Sequence, residues 1–181
     1  MSMLADTIQA KFPKSVLVPD DLRKLCTLAE ENSNSVSGSF ELVPDTADAW
    51  FGDADAASRF AVFGNGPDGS LIALWFYREM DSSQAPVVNL GSEGDDNIVL
   101  AANIREFLKL LAIGYSEFGA IYVNGEPDEP DSASDLREWL AEEYDIETPA
   151  TAESILVEAR RLHPDVGAWI KEWQQKRKKS K

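Results

Sequence analysis

The chain has 181 residues, of which 44% are hydrophobic and 27% charged, with a formal net charge of -15. That length suits one domain with a real core, and a body this acidic repels nucleic acid and anionic membrane surfaces at long range. The single cysteine, Cys26, excludes an internal disulfide, and with only one histidine there is no Cys/His set for structural zinc.

The charge is unevenly placed. Residues 171–181 carry six basic side chains and one acid, Glu172, while residues 1–170 carry 11 basic and 31 acidic ones, a net of -20. Acidity of this size keeps a chain soluble, and it also attracts basic proteins and speeds their encounter. The basic end, from about residue 174, reads as a frayed, solvated helix terminus that complements the helix dipole.

In chain order, Leu4 and Ile8 mark a short helix from about Met3 to Ala10, which Pro13 and Pro19 close off. Leu22, Leu25, Cys26 and Ala29 stand at i, i+3, i+4 and i+7 and predict a helix from Asp20 to Glu31. Cys26 lies on its apolar side and reads as a small buried hydrophobe. The segment Asn32–Ser39 is a loop by composition, and Ser39–Val43 is a short candidate strand. Residues 45–57 are acidic around Trp50 and Phe51 and read as a helical turn or an irregular excursion.

Arg59–Phe63 and Leu71–Tyr77 form the strongest strand pair, joined by a turn containing Asn65-Gly66 and Pro67-Asp68-Gly69. Leu71–Tyr77 is apolar at all seven positions, which places it centrally in a sheet covered on both faces and is too short to span a bilayer. Pro86–Leu90 and Ile98–Ala101 are further strands. Asn103 with Glu106 resembles a capping box. Ile104, Phe107, Leu108 and Leu111 then form an apolar stripe that Gly114 should end. After the Pro-rich acidic loop Asn124–Asp135, stripes predict helices over residues 133–143, 151–162 and 164–176, with Pro164 in a first turn. The N-terminus shows no signal-peptide pattern, so a cytoplasmic protein is expected.

Catalytic patterns fail one by one. The Gly64–Gly69 turn leads into a strand and lacks the Lys and helix N-terminus of a phosphate loop. His163 precedes Pro164, which fits a cap or turn, and no nucleophile elbow accompanies it. Asp53 and Asp55 lack the glycine and terminal Glu of a calcium loop, and Gly94–Asn97 reads as a turn. Trp50 and Trp75 read as core. Trp139, Trp169 and Trp173 lie on helical stripes that suit either a core or an interface.

Several segments together resemble the SUKH superfamily (Smi/Knr-like domains). They are Val18-Pro19-Asp20-Asp21-Leu22, Phe60-Ala61-Val62-Phe63-Gly64-Asn65-Gly66, Leu71-Ile72-Ala73-Leu74, Pro86-Val87-Val88-Asn89-Leu90, and Ala101-Ala102-Asn103-Ile104-Arg105-Glu106-Phe107-Leu108. The resemblance spans about residues 15–115. It departs where Asn32-Ser33-Asn34-Ser35 stands in place of an Asn-Gly pair.

The resemblance implies an α+β fold, a twisted, mostly antiparallel sheet flanked by helices. The domain is expected over residues 1–125, and residues 126–181, which lie outside the family pattern, are expected to add an acidic linker and a C-terminal helical extension packing on it. The resemblance implies no shared catalytic residues and no cofactor. Bacterial members of the immunity-protein type bind and neutralise a cognate toxin, often a nuclease.

The expected partner is therefore a basic protein. Three acidic patches are candidates to face it: Asp45, Asp48, Asp53 and Asp55; Asp95 and Asp96; and Glu126, Asp128 and Glu129. Trp169 and Trp173 are added as aromatic candidates. The alternatives are a scaffold or regulatory module that uses the tryptophan helices for partner or oligomer contact, and a hydrolase working through acidic residues.

Overall fold

The strands form one five-stranded antiparallel meander in a computed structural model that describes residues 2–32, 36–37, 40–119, 121 and 125–180. Strand order follows chain order: β1 (Glu41–Leu42), β2 (Phe60–Asn65), β3 (Leu71–Trp75), β4 (Val87–Leu90) and β5 (Ile98–Ala101). β3 is the middle strand, as its unbroken apolar run requires, and four of its five residues are buried. It stops at Trp75, two residues short of the apolar run's end. The β2–β3 and β4–β5 pairings each carry a register shift, at Val62/Gly64 and at Val87/Val88.

Side-chain alternation divides the core in two. Ala61, Phe63, Ile72, Leu74, Val87 and Leu100 face one way, and Phe60, Val62, Ala73, Trp75, Val88 and Val99 face the other. The first face is covered by α1 (Met3–Lys11), α2 (Asp20–Glu31) and α5 (Ile104–Ile113). Leu22, Leu25, Cys26, Phe107 and Leu108 are fully buried there. α5 starts on Asn103, whose side chain accepts the Glu106 amide at 3.0 Å. The Glu106 carboxylate is instead held by Lys109 at 2.7 Å. The helix ends on Gly114 with φ +96°, a left-handed conformation that suits glycine.

The second face is covered by α3 (Asp48–Phe51), α4 (Ala54–Ala57) and the last two helices of the chain. The excursion over residues 45–57 is thus two short helices, turned at Gly52 with φ +58°. Three helices follow the acidic loop: α6 (Ser134–Tyr144), α7 (Glu153–Leu162) and α8 (Val166–Lys179). Leu136, Leu140, Ile155 and Leu156 enter the first core, and Ala159, Val166 and Ile170 enter the second. The fold is α+β with helices on both faces of the sheet.

Two local expectations are corrected. Pro164 stands outside α8, because Asp165 is the cap and accepts the Ala168 amide at 2.9 Å. The basic end is not frayed from residue 174. α8 continues to Lys179, and Arg177 donates to the carbonyls of Phe51 and Gly52 at 2.9 Å each, satisfying groups left open where α3 ends. The strand expected over Ser39–Val43 is β1, two residues long, with Ser39 itself outside the described residues, as are parts of the loops at residues 33–38 and 124.

Candidate functional site

Most groups with intrinsic reactivity are committed to structure. Cys26 is completely buried on α2, and burial first, then the Glu30 carboxylate, pushes its thiol up to about 12 against the opposing Arg23 charge. His163 ends α7 in extended conformation, as its place before Pro164 predicts. Its Nε2 lies 2.9 Å from the Ala102 carbonyl and its Nδ1 3.1 Å from the Tyr77 hydroxyl. A carbonyl only accepts, so Nε2 carries the proton, and the neutral Nδ1 accepts from Tyr77.

Burial holds the His163 ring below its ordinary value. The bond to Ala102 opposes that shift, and the nearby Arg78 charge adds to it. With the folded pKa below the unfolded one, the neutral ring's contribution is complete above about pH 6.5 and declines as pH falls toward the folded pKa. One histidine gives a single imidazole spin system, its two ring C–H protons, in a proton NMR titration. Its midpoint is expected below the ordinary histidine value, and a midpoint at or above that value contradicts this assignment.

The nominated carboxylates are spread over several loops. Asp45 accepts the Thr46 amide at 2.7 Å, and Asp53 caps α4 by accepting the Ala56 amide at 3.0 Å. Asp48 and Asp55 are exposed in the first turns of α3 and α4. Asp95 and Asp96 are exposed in the β4–β5 turn, where Asp96 has φ +52°. Asp128 accepts from the amide and hydroxyl of Ser116, and the hydroxyl first, then the amide, hold its carboxyl below the ordinary range. The Glu129 amide donates to Gly114 at 2.9 Å, and Glu126 is exposed. None of these nine carboxylates forms an ion pair with a described residue.

Trp169 and Trp173 turn inward and are half-buried. Trp169 lies 5.7 Å from Phe60 and 6.0 Å from Trp75 between ring centres, and Trp173 lies 5.1 Å from Phe51.

One of the nine joins a concave site. At one end of the sheet the β2–β3 turn, the β4–β5 turn and the segment after α5 enclose a cavity of about 500 Å³. Asp68, Asp96 and Glu117 stand around it, Ile98 and Phe118 contribute apolar surface, and no described lining residue is basic. Asp68 accepts both the amide and the hydroxyl of Ser70 through one oxygen, at 3.0 and 2.6 Å. Partial burial pushes the Asp68 carboxyl up, but the two Ser70 bonds outweigh it and leave the carboxyl below its ordinary value.

The cavity wall also holds Asn89, only 6% exposed, on the first face of the sheet. Its register partners are Ile72 on β3 and Ile98 on β5. Its Nδ2 donates to the Asp96 carbonyl at 3.1 Å, which fixes the orientation of the amide. Its Oδ1 is buried without a hydrogen-bond partner among the described residues. No group of three or more His, Cys, Asp or Glu side chains among the described residues is placed to share a metal ion.

Sequence reasoning nominated Asp96 and missed Asp68, Asn89 and Glu117. The available signal was Asn89 itself, a polar residue inside the otherwise apolar run Pro86–Leu90. Among the described residues no helix is long and apolar enough to cross a membrane. Comparison with family models, curated proteins and solved structures gives no match to this chain.

Proposed function

We propose that this chain is a non-enzymatic protein-binding module of the SUKH type, an immunity protein that binds a basic toxin in the cytoplasm and neutralises it by occupancy. The observation that carries this reading is the uncompensated acidity. The body over residues 1–170 has a net charge of -20, and nine carboxylates on loops and short helices have no ion-pair partner among the described residues. Unpaired surface carboxylates attract cations from outside, and a basic partner such as a nuclease supplies them at high local density. A nuclease holds phosphates with Arg and Lys, so the surface that binds its substrate also complements this one.

Calorimetric titration with basic toxin candidates, including any encoded beside this chain, tests the proposal. A one-to-one complex is expected, with an association rate that falls as salt shortens the Debye length from about 10 Å at 0.1 M to about 3 Å at 1 M. Neutralising Asp45, Asp48 and Asp55 together, or Asp95 with Asp96, should slow association if that patch faces the partner. The absence of any complex at low salt contradicts the proposal.

A further inference from the structure

We infer that the cavity between the β2–β3 turn, the β4–β5 turn and the segment after α5 receives one arginine side chain of the partner, whose guanidinium reaches the Oδ1 of Asn89. The inference rests on the reading of the chain as a binder of basic proteins, and it names the group that this site would hold.

Three features define the occupant. The first is the unmet acceptor. Asn89 Oδ1 is buried with no partner among the described residues, while the other end of the amide is fixed on the Asp96 carbonyl. A buried acceptor left unmet destabilises the resting protein, and a donor delivered by a partner relieves it. The second is charge. Asp68, Asp96 and Glu117 surround the site with no basic residue among them, and Asp68 spends one oxygen on Ser70. The occupant is therefore cationic, and its donors must reach acceptors in several directions. The third is the wall. Ile98 and Phe118 offer an apolar strip along which a methylene stem can lie.

A guanidinium satisfies all three conditions. It is planar, carries five donors in a fixed fork and tolerates an aromatic neighbour. An ammonium is a strongly hydrated point charge that meets fewer separated acceptors at once. A bare metal ion fits poorly, because no three His, Cys, Asp or Glu side chains among the described residues come together. The oxygen shows less than 1 Å² to solvent, so a guanidinium meets it only when the side chains over it shift, a rearrangement common at interfaces.

The test is a titration of the full-length ¹⁵N-labelled chain with N-acetyl-arginine amide, read at the Asn89 side-chain amide and at the backbone amides of Asp68, Asp96 and Gly119. A single side chain should bind with a Kd on the order of 1–10 mM. Saturable shifts confined to these groups are expected. N-acetyl-lysine amide should shift them less. Free arginine, whose own carboxylate meets the acidic mouth, should bind more weakly. Asn89→Leu should abolish the shifts, and Glu117→Gln should weaken binding about two- to fivefold, the worth of an exposed charge pair.

Four results overturn the inference: no shift, an equal shift from sodium chloride at the same ionic strength, an equal response to the lysine compound, or tighter binding of the free amino acid. If Asn89→Leu does not fold, Glu117→Gln and Asp96→Asn, both at exposed carboxylates, carry the comparison. A silent cavity beside an intact partner complex defeats this inference alone. Loss of the complex itself defeats the functional reading.

Discussion

Deleting α8, by ending the chain after His163, is expected to abolish the cooperative folded state. The helix sits on the second core, where Val166 is fully buried and Ile170 is 1% exposed. Trp169 lies edge-on to Phe60 and Trp75, and Trp173 lies edge-on to Phe51. Arg177 ties the far end of the helix to the carbonyls of Phe51 and Gly52.

Burying a large apolar side chain stabilises by about 1.5–3 kcal/mol, so two buried aliphatics and two half-buried indoles contribute roughly 5–10 kcal/mol. Whole domains of this size are stable by about 5–15 kcal/mol. The truncated chain should therefore lose its thermal transition and its near-ultraviolet circular dichroism, and expose Trp75 to quenchers. A truncated chain with an unchanged sharp transition would show that α8 is an appended arm whose tryptophans are free for an interface.

The second large effect is expected at Gly91, where the reason is close approach rather than backbone conformation. A Cβ added there would meet the Asp95 carbonyl oxygen at 1.7 Å and its carbon at 2.8 Å, both backbone atoms that cannot rotate away. The Gly91 amide also donates to Asn97 Oδ1 at 3.0 Å, and its carbonyl accepts the Trp50 indole N–H at 2.8 Å. This glycine therefore closes the β4–β5 turn and anchors it to Trp50.

Gly91→Ala should cost about 3 kcal/mol, at the upper end for overpacking a tight site. It should also displace Asp95 and Asp96, and with Asp96 the carbonyl that orients Asn89. The variant is checked by chemical denaturation together with the Asn89 side-chain amide shift. A stability within 0.5 kcal/mol of the parent, the usual span for a neutral surface change, would show that the turn gives way freely.

The sheet was legible because its signals are local. β3 declared its central place by an apolar run without alternation, and α5 declared itself by the stripe from Ile104 to Leu111 between Asn103 and Gly114. His163 was legible as a boundary because a proline follows it, but its bond to Tyr77 joins residues 86 positions apart and leaves no mark in the sequence.

The direction of the C-terminal tryptophans was not legible. A helical stripe shows that a face is buried and not what covers it, so Trp169 and Trp173 read equally well as interface or core. The same limit hid the cavity. Asp68, Asn89, Asp96 and Glu117 meet only because the meander brings the β2–β3 and β4–β5 turns to one end and α5 delivers the segment after it to the same place. Asn89 could have been singled out as polar among buried neighbours. Its unmet oxygen depends on where the Asp96 carbonyl falls, which only the folded turn decides.

The Asp21 network likewise depends on the assembled fold. Asp21 opens α2, where a carboxylate favours the helix dipole. Folded, it also accepts from Arg105 of α5 at 3.0 Å and from the Tyr144 hydroxyl of α6 at 2.9 Å, linking the N-terminal, central and C-terminal parts of the chain. Burial first, then that hydrogen bond, pushes the Tyr144 hydroxyl up, so it stays protonated as a donor.

The central claim is that this protein acts by covering its partner and transforms nothing. The most direct measurement is the residual activity of the basic toxin proposed as its partner as this chain is added in increasing molar ratio. Occupancy predicts a linear fall that reaches zero at one equivalent, is complete on mixing and reverses when the complex is separated in high salt. Loss of activity that deepens with time at a small fraction of one equivalent would mean turnover, and would contradict the account.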